Sequence, residues 1–477
     1  MTARETADQS RGPTAQLASY VSDLKFEDLD TRTINHAKRH ILDGIGAVLA
    51  GAGQEATEIA ERASIRAGAS GQIPVAGRKR HHDMLTAAFL QGAAAHGLEL
   101  DDGYRAGSTH PGSVVVPALL AAAYTREVSG RDAIAAAVAG YETMCRIAAT
   151  THPRSRWRGF HNTATTGAFG AAALWSSLVR LTPERTEAAL GIAASTASGL
   201  FTFLDGGDVK RLHPGFAARS GLLAGLLAEE GLAGPPGSLE SSNGFFHAYA
   251  GDDNGTIDYT SLDILSVGPG SPHAITECYI KPYACCRHIH SAIDAVLDMQ
   301  RSASLEVSDV KSIHIGTYRV ATAHDLRSWD NFTTAQMSIP FVIATALRHG
   351  SVDLGHFATT HRTDPKTADI AERVSVSVDD SCDASYPQTR SAVTTVITKT
   401  GVRLDRRIDH VFMRGPFTAR AALIMGSSLS ARTVSGLWPS DHAGLVVRLQ
   451  MGAGEAATKE RTVDMGRRKE RAAGIPF

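Results

Sequence analysis

The segment TRTINHAKRHILDGIGAVLAG, residues Thr31–Gly51, sets the interpretation of the first half of the chain. Its apolar residues recur at three- and four-residue spacing, which is typical of an amphipathic helix. The same spacing is found in Asp83–Leu100, Asp132–Thr150 and Pro183–Gly199. Small residues are frequent throughout this part and would let helices approach closely. We therefore predict an all-helical domain over residues 1–270.

The pattern changes after a Gly- and Pro-rich stretch at residues 267–272, which we interpret as a linker. Beyond it, apolar and polar residues alternate in segments rich in β-branched residues, which is typical of strands. These segments are Val310–Thr317, Val374–Val378 and Ala392–Thr398, with predicted helices at Asp294–Arg301 and Ala335–His349 between them. We predict a smaller α+β lid domain over residues 271–411. Residues 412–477 have irregular apolar spacing, which leaves their placement open.

Composition excludes several classes of protein. The 477 residues include 48 Lys+Arg and 49 Asp+Glu, so no basic surplus exists for a general nucleic-acid binder. A hydrophobic content of 43% with 20% charged residues is globular and not disordered. No apolar run is long enough for a membrane span, and the polar start lacks the apolar core of a secretory signal. Five scattered cysteines do not form a disulfide framework, so we expect a cytoplasmic protein.

Two clusters in the helical part combine acids and histidines. Glu99, Asp101 and Asp102 follow an apolar helix, and His110 lies in the next turn. His161 directly precedes the predicted small-residue helix Thr166–Leu174, where a positive helix end lowers the pKa of a histidine and suits a neutral general base. The alternative is that these are ordinary helix-end and turn residues.

Two further clusters are cationic. Lys210, Arg211 and His213 precede the predicted helix Phe216–Leu227 and form a candidate carboxylate clamp, or else a solvated basic turn. The second cluster, Lys281 to His290, contains Cys285, Cys286, Arg287 and His288. No second ligand pair completes a zinc site elsewhere in the sequence, so we expect no metal and interpret Lys281, Arg287 and His288 as charge for a polycarboxylate. Nucleotide-binding glycine motifs and a G-x-S-x-G nucleophile turn are absent from the sequence.

Together these clusters resemble the MmgE/PrpD family, which contains 2-methylcitrate dehydratase, cis-aconitate decarboxylase and iminodisuccinate epimerase. The resemblance covers about residues 30–400 in order and spacing. The motifs that carry it are Ile41–Gly51, Leu98–Asp102, His110-Pro111-Gly112, Gly159-Phe160-His161, Lys210 with His213, Lys281–His288, Ser338–Phe341 and Tyr386-Pro387.

The resemblance implies a large helical domain with a C-terminal return, a smaller α+β lid, a homodimer, and an active site between the domains that works without metal or organic cofactor. By position it implies catalytic roles for His110, His161, Lys210 and Lys281. Substrate binding or orientation is expected of Glu99, Asp102, His213, Arg287, His288 and Tyr318.

Three departures from the family pattern bear on the reaction. Glu99 stands where the family has an aspartate, and Gly103 where it often has Thr or Ser. Cys286 stands where the decarboxylase branch has a histidine, five residues after the lid lysine. These changes weaken a decarboxylase assignment.

We therefore expect a 2-methylcitrate dehydratase-like lyase acting on a small di- or tricarboxylate. An iminodisuccinate epimerase-like or cis-aconitate decarboxylase-like enzyme, and a non-catalytic scaffold, are the alternatives. Each of these reactions moves a proton, or forms a carbanion, at a carbon next to a carboxylate. An acid–base group is needed for the proton, and cations are needed for the negative charge.

Overall fold

A computed structural model describes residues 12–251, 272–386 and 389–410, together with the backbone of two strands at 417–424 and 445–451. Residues 1–11 and most of the predicted linker at 267–272 lie outside the described residues. The contacts divide the chain into two units, Met1–Phe412 and Met413–Phe477.

Helices dominate the first part of the larger unit, which confirms the predicted mainly helical fold with a smaller α+β part. They are α1 (Pro13–Asp23), α2 (Thr31–Gly51), α3 (Glu55–Arg66), α4 (Met84–Ala95), α5 (Gly112–Ala123), α6 (Gly130–Thr151), α7 (Arg154–Trp157), α8 (Asn162–Leu178), α9 (Pro183–Thr196), α10 (Val209–Glu229) and α11 (Phe245–Ala250). A short antiparallel pair, β1 (Ile73–Pro74) and β2 (His81–His82), lies between α3 and α4.

Close packing of small residues holds these helices together. Helix α10 packs against α8 and α4, and α8 also packs against α6. A Cβ atom added at Gly221 of α10 would lie 2.2 Å from the carbonyl oxygen of Ala168 in α8. The two backbones therefore touch at a point where only glycine fits.

Helix α10 begins earlier than the sequence predicted. Lys210 and His213 lie inside its first two turns and not in a turn before it. Pro214 lies inside this helix, where it cannot donate the hydrogen bond that another residue would give to the Lys210 carbonyl. Residues Lys210 to His213 are thus fixed on a helix, which gives their side chains set directions.

The α+β part is built on a four-stranded sheet with order β4-β3-β5-β6. Its strands are β3 (Val310–Thr317), β4 (Val374–Val378), β5 (Arg390–Thr398) and β6 (Arg403–His410), of which β3 and β4 are parallel and the other pairs antiparallel. The three predicted strands are confirmed. Strand β6 was not predicted, because its sequence RLDRRIDH is mostly charged, as suits an edge strand.

Seven helices accompany this sheet. They are α12 (His290–Ala303), α13 (Arg319–Thr322), α14 (Phe332–Met337), α15 (Ile339–His349), α16 (Thr359–Arg362), α17 (Pro365–Glu372) and α18 (Asp380–Ala384). Four of them, α12, α14, α15 and α17, share a separate hydrophobic cluster with the sheet. The predicted helix Ala335–His349 is divided at Ser338, whose hydroxyl accepts a hydrogen bond from the Phe341 N–H and caps α15. The domain boundary at residue 271 remains a prediction.

In the smaller unit the described residues form β7 (Phe417–Ile424) paired antiparallel with β8 (Leu445–Met451). The helical return that the resemblance implied is not seen in these two segments. Of the described helices, none has the length and apolar character that a membrane crossing requires.

Candidate functional site

Glu99 is the centre of a buried charged cluster. It lies in the loop after α4, is 1% exposed, and adopts a left-handed backbone with φ of 57°. Its carboxylate contacts the ammonium group of Lys210, the Arg211 guanidinium at 2.8 Å and Lys281 Nζ at 3.3 Å. A non-glycine residue held in this conformation is costly and is found where surrounding contacts enforce it. Here three cations from two separate chain segments enforce it.

His96 links this carboxylate to a second acid. Its Nδ1 lies 2.7 Å from Asp101 and its Nε2 lies 2.8 Å from Lys210 Nζ. Since a carboxylate only accepts, Nδ1 carries the proton and Nε2 receives a hydrogen bond from the lysine. Burial, and next the charge of Lys210, hold the pKa of His96 well below its usual range. The ring is therefore neutral and oriented by two partners.

His110 is held in the same way but is not fully buried. Its Nδ1 donates to the Asp102 carbonyl at 2.7 Å, which leaves Nε2 unprotonated in the neutral ring. Burial, with a further contribution from Lys281, lowers the pKa of His110 to about 4. The side chain remains 15% exposed. Its ring centre is 5.2 Å from that of His96, so the predicted residue lies at the cluster.

Asp102 does not point at this cluster. One of its carboxylate oxygens accepts the Gly112 N–H at 2.7 Å, and the other accepts the Tyr141 hydroxyl at 2.8 Å and lies 2.8 Å from His40 Nδ1. A direct contact of Asp102 with substrate stays a prediction, whereas the expected orientation of a histidine agrees with these contacts. Asp102 holds the start of α5 and, through its carbonyl, orients His110.

His161 directly precedes α8, whose first residue is Asn162, but its side chain makes no capping hydrogen bond and instead faces His213 of α10. Their Nδ1 atoms are 2.9 Å apart, so one ring donates a hydrogen bond to the other. The His161 ring centre is 6.1 Å from that of His96. Burial and then His213 hold the pKa of His161 well below its usual range, while burial and Lys210 lower that of His213 to about 4.

The two predicted lysines meet across Glu99. Lys210 comes from α10, whereas Lys281 comes from the loop before α12 and also lies 3.5 Å from Asp101. Burial, followed by the charges of Arg211 and Lys281, holds the pKa of Lys210 well below its usual range. Three cations thus share two carboxylates, which leaves positive charge for an anionic ligand.

The remaining predicted residues lie in a second cluster. His288 Nδ1 is 2.5 Å from the Tyr318 hydroxyl, and Tyr318 stacks on Tyr386 with ring centres 4.5 Å apart. The Tyr386 hydroxyl in turn lies 2.5 Å from His152 Nε2. The Arg287 guanidinium lies 5.1 Å from the centre of the Tyr279 ring and interacts electrostatically with Tyr318.

Cys286 lies between the two clusters. Its sulfur is 3.6 Å from Nε2 of His324, whose Nδ1 is 3.1 Å from the Met337 carbonyl. Burial opposes ionisation of the thiol, but His324 and Lys210 outweigh it and lower the pKa of Cys286 to about 6. Cys286, His288 and His324 bring metal-ligand atoms within 4.8 Å of one another. The sequence argument against zinc overlooked His324, which lies 36 residues beyond His288.

Sequence analysis found most of the first cluster and missed its connections. Arg211 was named only as part of a candidate carboxylate clamp, and His96 and His324 were not assigned as site residues. The spacing His-x4-Asp in His96–Asp101 was the one available signal for His96. For His324 no sequence signal existed, because it joins the site through the turn between α13 and α14.

Comparisons with known proteins agree with the resemblance. Residues 15–257 match the family model of the MmgE/PrpD N-terminal domain, and residues 283–420 match that of the MmgE/PrpD C-terminal domain. Cis-aconitate decarboxylase-like protein oryM of Aspergillus oryzae is 32% identical over 363 residues, which is 72% of this chain and 75% of the relative. Cis-aconitate decarboxylase of Aspergillus terreus is 30% identical over 78% of this chain and 80% of its own length. The human cis-aconitate decarboxylase is 32% identical over half of each chain.

Proposed function

Because the chain belongs to the MmgE/PrpD family, we propose that it is a carboxy-lyase for a small unsaturated tricarboxylate, with cis-aconitate as the first candidate. The observation that carries the proposal is the convergence of His110, His161, Lys210 and Lys281 on the buried Glu99–His96 pair. The names of the relatives favour decarboxylation over the dehydration that the sequence suggested. Decarboxylation is therefore the first candidate and dehydration the second.

Cations supply the first requirement of this chemistry. When a carboxylate leaves as CO2, the electron pair of the broken carbon–carbon bond passes into the conjugated system towards another carboxylate. Lys281 would hold that carboxylate in the ground and transition states alike, and Lys210 would stabilise its growing negative charge. Since Glu99 fixes both lysines before the ligand binds, little reorganisation is needed during the reaction.

A histidine supplies the second requirement, which is a proton for the carbanion. His110 has its Nδ1 proton fixed on the Asp102 carbonyl, so its free Nε2 is the atom that takes up and delivers a proton. A bound polyanion would raise the low pKa of His110, because it offsets the charge of Lys281. Substrate binding would thus protonate the acid that the reaction needs.

His161 provides the other proton-transfer group in this proposal. Its Nδ1 is tied to His213, so Nε2 is the only ring nitrogen that it can present to a ligand. The protonation state of Nε2 then depends on which ring donates between the two Nδ1 atoms. His213 is accordingly a positioning residue.

A 2-methylcitrate dehydratase-like activity is the second candidate, and Cys286 favours it. The decarboxylase branch has a histidine at this position, so a thiol there departs from that chemistry. A dehydratase must protonate a leaving hydroxyl, and the protonated fraction of the Cys286 thiol, whose pKa is about 6, would be the acid for that step. An epimerase would need only removal and return of a proton.

A substrate panel analysed by mass separates these candidates. The protein would be incubated in deuterated buffer with cis-aconitate, 2-methylcitrate, citrate and iminodisuccinate. Loss of CO2 from cis-aconitate is the expected result, whereas loss of water from 2-methylcitrate would replace it by the second candidate. Deuterium uptake without mass loss would indicate an epimerase, and no change in any compound would indicate a scaffold. His110→Ala, prepared identically, controls for contaminating enzymes.

We also propose that residues 271–411 act as a lid and that the protein is a homodimer, as the family resemblance implies. Lys281 and Arg211 tie the two parts of the chain together at Glu99, and Arg211 donates to Gln336 at 2.6 Å. Light scattering on the purified protein tests the dimer. Faster proteolysis at residues 252–271 without ligand than with it would support a lid.

A further inference from the structure

Arg390 is a buried cation without a carboxylate partner. It is the first residue of β5 and is 3% exposed. Within residues 12–251, 272–386 and 389–410, its Nε has no hydrogen-bond partner and no carboxylate forms an ion pair with it. A buried charge is expensive unless it is paired. An arginine in this position therefore calls for an anion.

The neighbours of Arg390 supply at most one negative charge, the thiolate of Cys286, which Lys210 and His324 share. Its strongest acidic neighbours are the phenols of Tyr279, Tyr318 and Tyr386 and the thiol of Cys286. The Tyr318 and Tyr386 hydroxyls are each 2.5 Å from a histidine nitrogen. Burial raises the pKa of both phenols, so both are neutral at physiological pH.

A second guanidinium faces the same group of side chains. Arg156 of α7 lies over the Phe201 ring at 3.6 Å, and its Nε also lacks a hydrogen-bond partner among the described residues. Both arginines lower the pKa values of His152 and His288, after burial as the main cause. Two guanidinium groups and two Tyr–His pairs thus surround one place, where among the described residues the single thiolate of Cys286 faces two cations.

This place adjoins the Glu99 cluster across Cys286. The Cys286 thiol interacts electrostatically with Lys210 on one side and with Arg390 on the other. Its backbone N–H donates to the carbonyl of Gln336, whose side chain accepts from Arg211 of the first cluster. The two groups of cations therefore flank Cys286.

We propose that Arg390 and Arg156 form a second carboxylate subsite, which binds the carboxylate farthest from the reacting end of a di- or tricarboxylate. The reacting end is then held by Lys281 and Lys210. The subsite would select polycarboxylates over monocarboxylates, since only a longer ligand contacts both groups of cations. The identity of the reacting end depends on the proposed function. The binding of an anion by Arg390 and Arg156 does not.

Tricarballylate, a saturated tricarboxylate that has no double bond to react, is the probe. Its affinity would be measured by calorimetry for the wild type and for Arg390→Gln, Arg390→Lys and Arg156→Gln. Loss of a charge-assisted hydrogen bond predicts that Arg390→Gln weakens binding by at least about 10-fold, and that Arg390→Lys weakens it less. Arg403→Gln, on the neighbouring exposed strand β6, is the matched control and should leave binding unchanged.

Thermal stability without ligand separates this role from a structural one. An unpaired buried cation destabilises the free protein, so Arg390→Gln should keep or raise its melting temperature. Tricarballylate should raise the melting temperature of the wild type more than that of the variant. A structural arginine predicts the opposite, with a large loss of stability in the free variant. If Arg390→Gln fails to fold, the structural role is favoured, and unchanged affinity of folded Arg390→Lys and Arg156→Gln would overturn the subsite.

The binding assay also stands apart from turnover. Arg390-dependent binding of tricarballylate in a protein without lyase activity would refute the proposed function and keep the subsite. If the protein decarboxylates cis-aconitate but its affinity for tricarballylate does not depend on Arg390 or Arg156, the proposed function stands and the subsite is refuted.

Discussion

His161 and His213 face each other through their Nδ1 atoms, which are 2.9 Å apart in the interior of the helical part. Two imidazoles can share this contact only if one carries a proton there and the other does not. The tautomer of His161 is therefore set by a residue on another helix. Because His213 lies inside α10 beside Lys210, the same helix positions a cation and the partner of a proton-transfer group.

Removing His213 should impair catalysis without removing the catalytic ring. We expect His213→Leu to lower kcat by about 10- to 100-fold, the cost of losing the orientation of a reacting group. Substrate affinity should change little, and His213→Asn, which keeps a polar partner, should recover part of the rate. The kcat and KM values of both variants check this. A loss confined to KM would instead place His213 in direct contact with the substrate.

His110 and His161 should be needed for the chemical step. His110→Ala and His161→Ala should each lower kcat by at least the roughly 10²-fold typical of a lost acid–base group. Circular dichroism and the melting temperature show whether each variant is folded. Full turnover of either folded variant on its true substrate would remove that histidine from the mechanism.

Lys281 should act mainly in binding. Its side chain is fixed by Glu99 at 3.3 Å and Asp101 at 3.5 Å before any ligand arrives. If it contacts the same carboxylate in the ground and transition states, Lys281→Ala raises KM and leaves kcat nearly unchanged. Steady-state kinetics decide the point, since an equal fall in kcat and kcat/KM would show a contact made only in the transition state.

Buried neutral histidines should make the protein sensitive to acid. Burial lowers the pKa of His110 and His213 to about 4 and that of His152 to about 3, whereas an unfolded histidine titrates near 6.5. Between these values the unfolded chain binds more protons, so the free energy of unfolding falls as the pH drops below about 6.5. Above that pH these groups have no effect.

The melting temperature measured between pH 4.5 and 8 tests this pH dependence. It should be flat on the alkaline side and decline on the acid side. His152→Gln removes one buried titrating ring and should make the decline shallower, whereas replacing the more exposed His247 should not. An equally steep decline in His152→Gln would exclude His152 as a contributor.

The sequence predicted the elements better than the contacts between them. Periodic helices such as Thr31–Gly51 and the strand Val374–Val378 were found because one face of each is buried, and burial imposes a period. The charged strand β6 has no such pattern, and the start of α10 was obscured by Pro214. Residues of the site were found where several chemical groups are close in sequence, as around Glu99. Arg390 and His324 were missed because tertiary packing alone brings each to the site.

Cys286 should be the reactive thiol of the protein, and metal should be absent from it. Among the five cysteines only Cys286 is partly exposed, and its pKa of about 6 makes it largely a thiolate at pH 7. The thiolate is the nucleophile, so iodoacetamide should label one cysteine quickly, with a rate that is half-maximal near pH 6.

The cations that face the thiol, Lys210, Arg156 and Arg390, together with His324, stabilise a thiolate and oppose a divalent metal. His324→Gln should shift the half-maximal pH upward, and Cys286→Ser should abolish the fast labelling. Stoichiometric zinc in elemental analysis, lost in Cys286→Ser and accompanied by labelling that begins only after a chelator is added, would show instead that Cys286, His288 and His324 hold a metal.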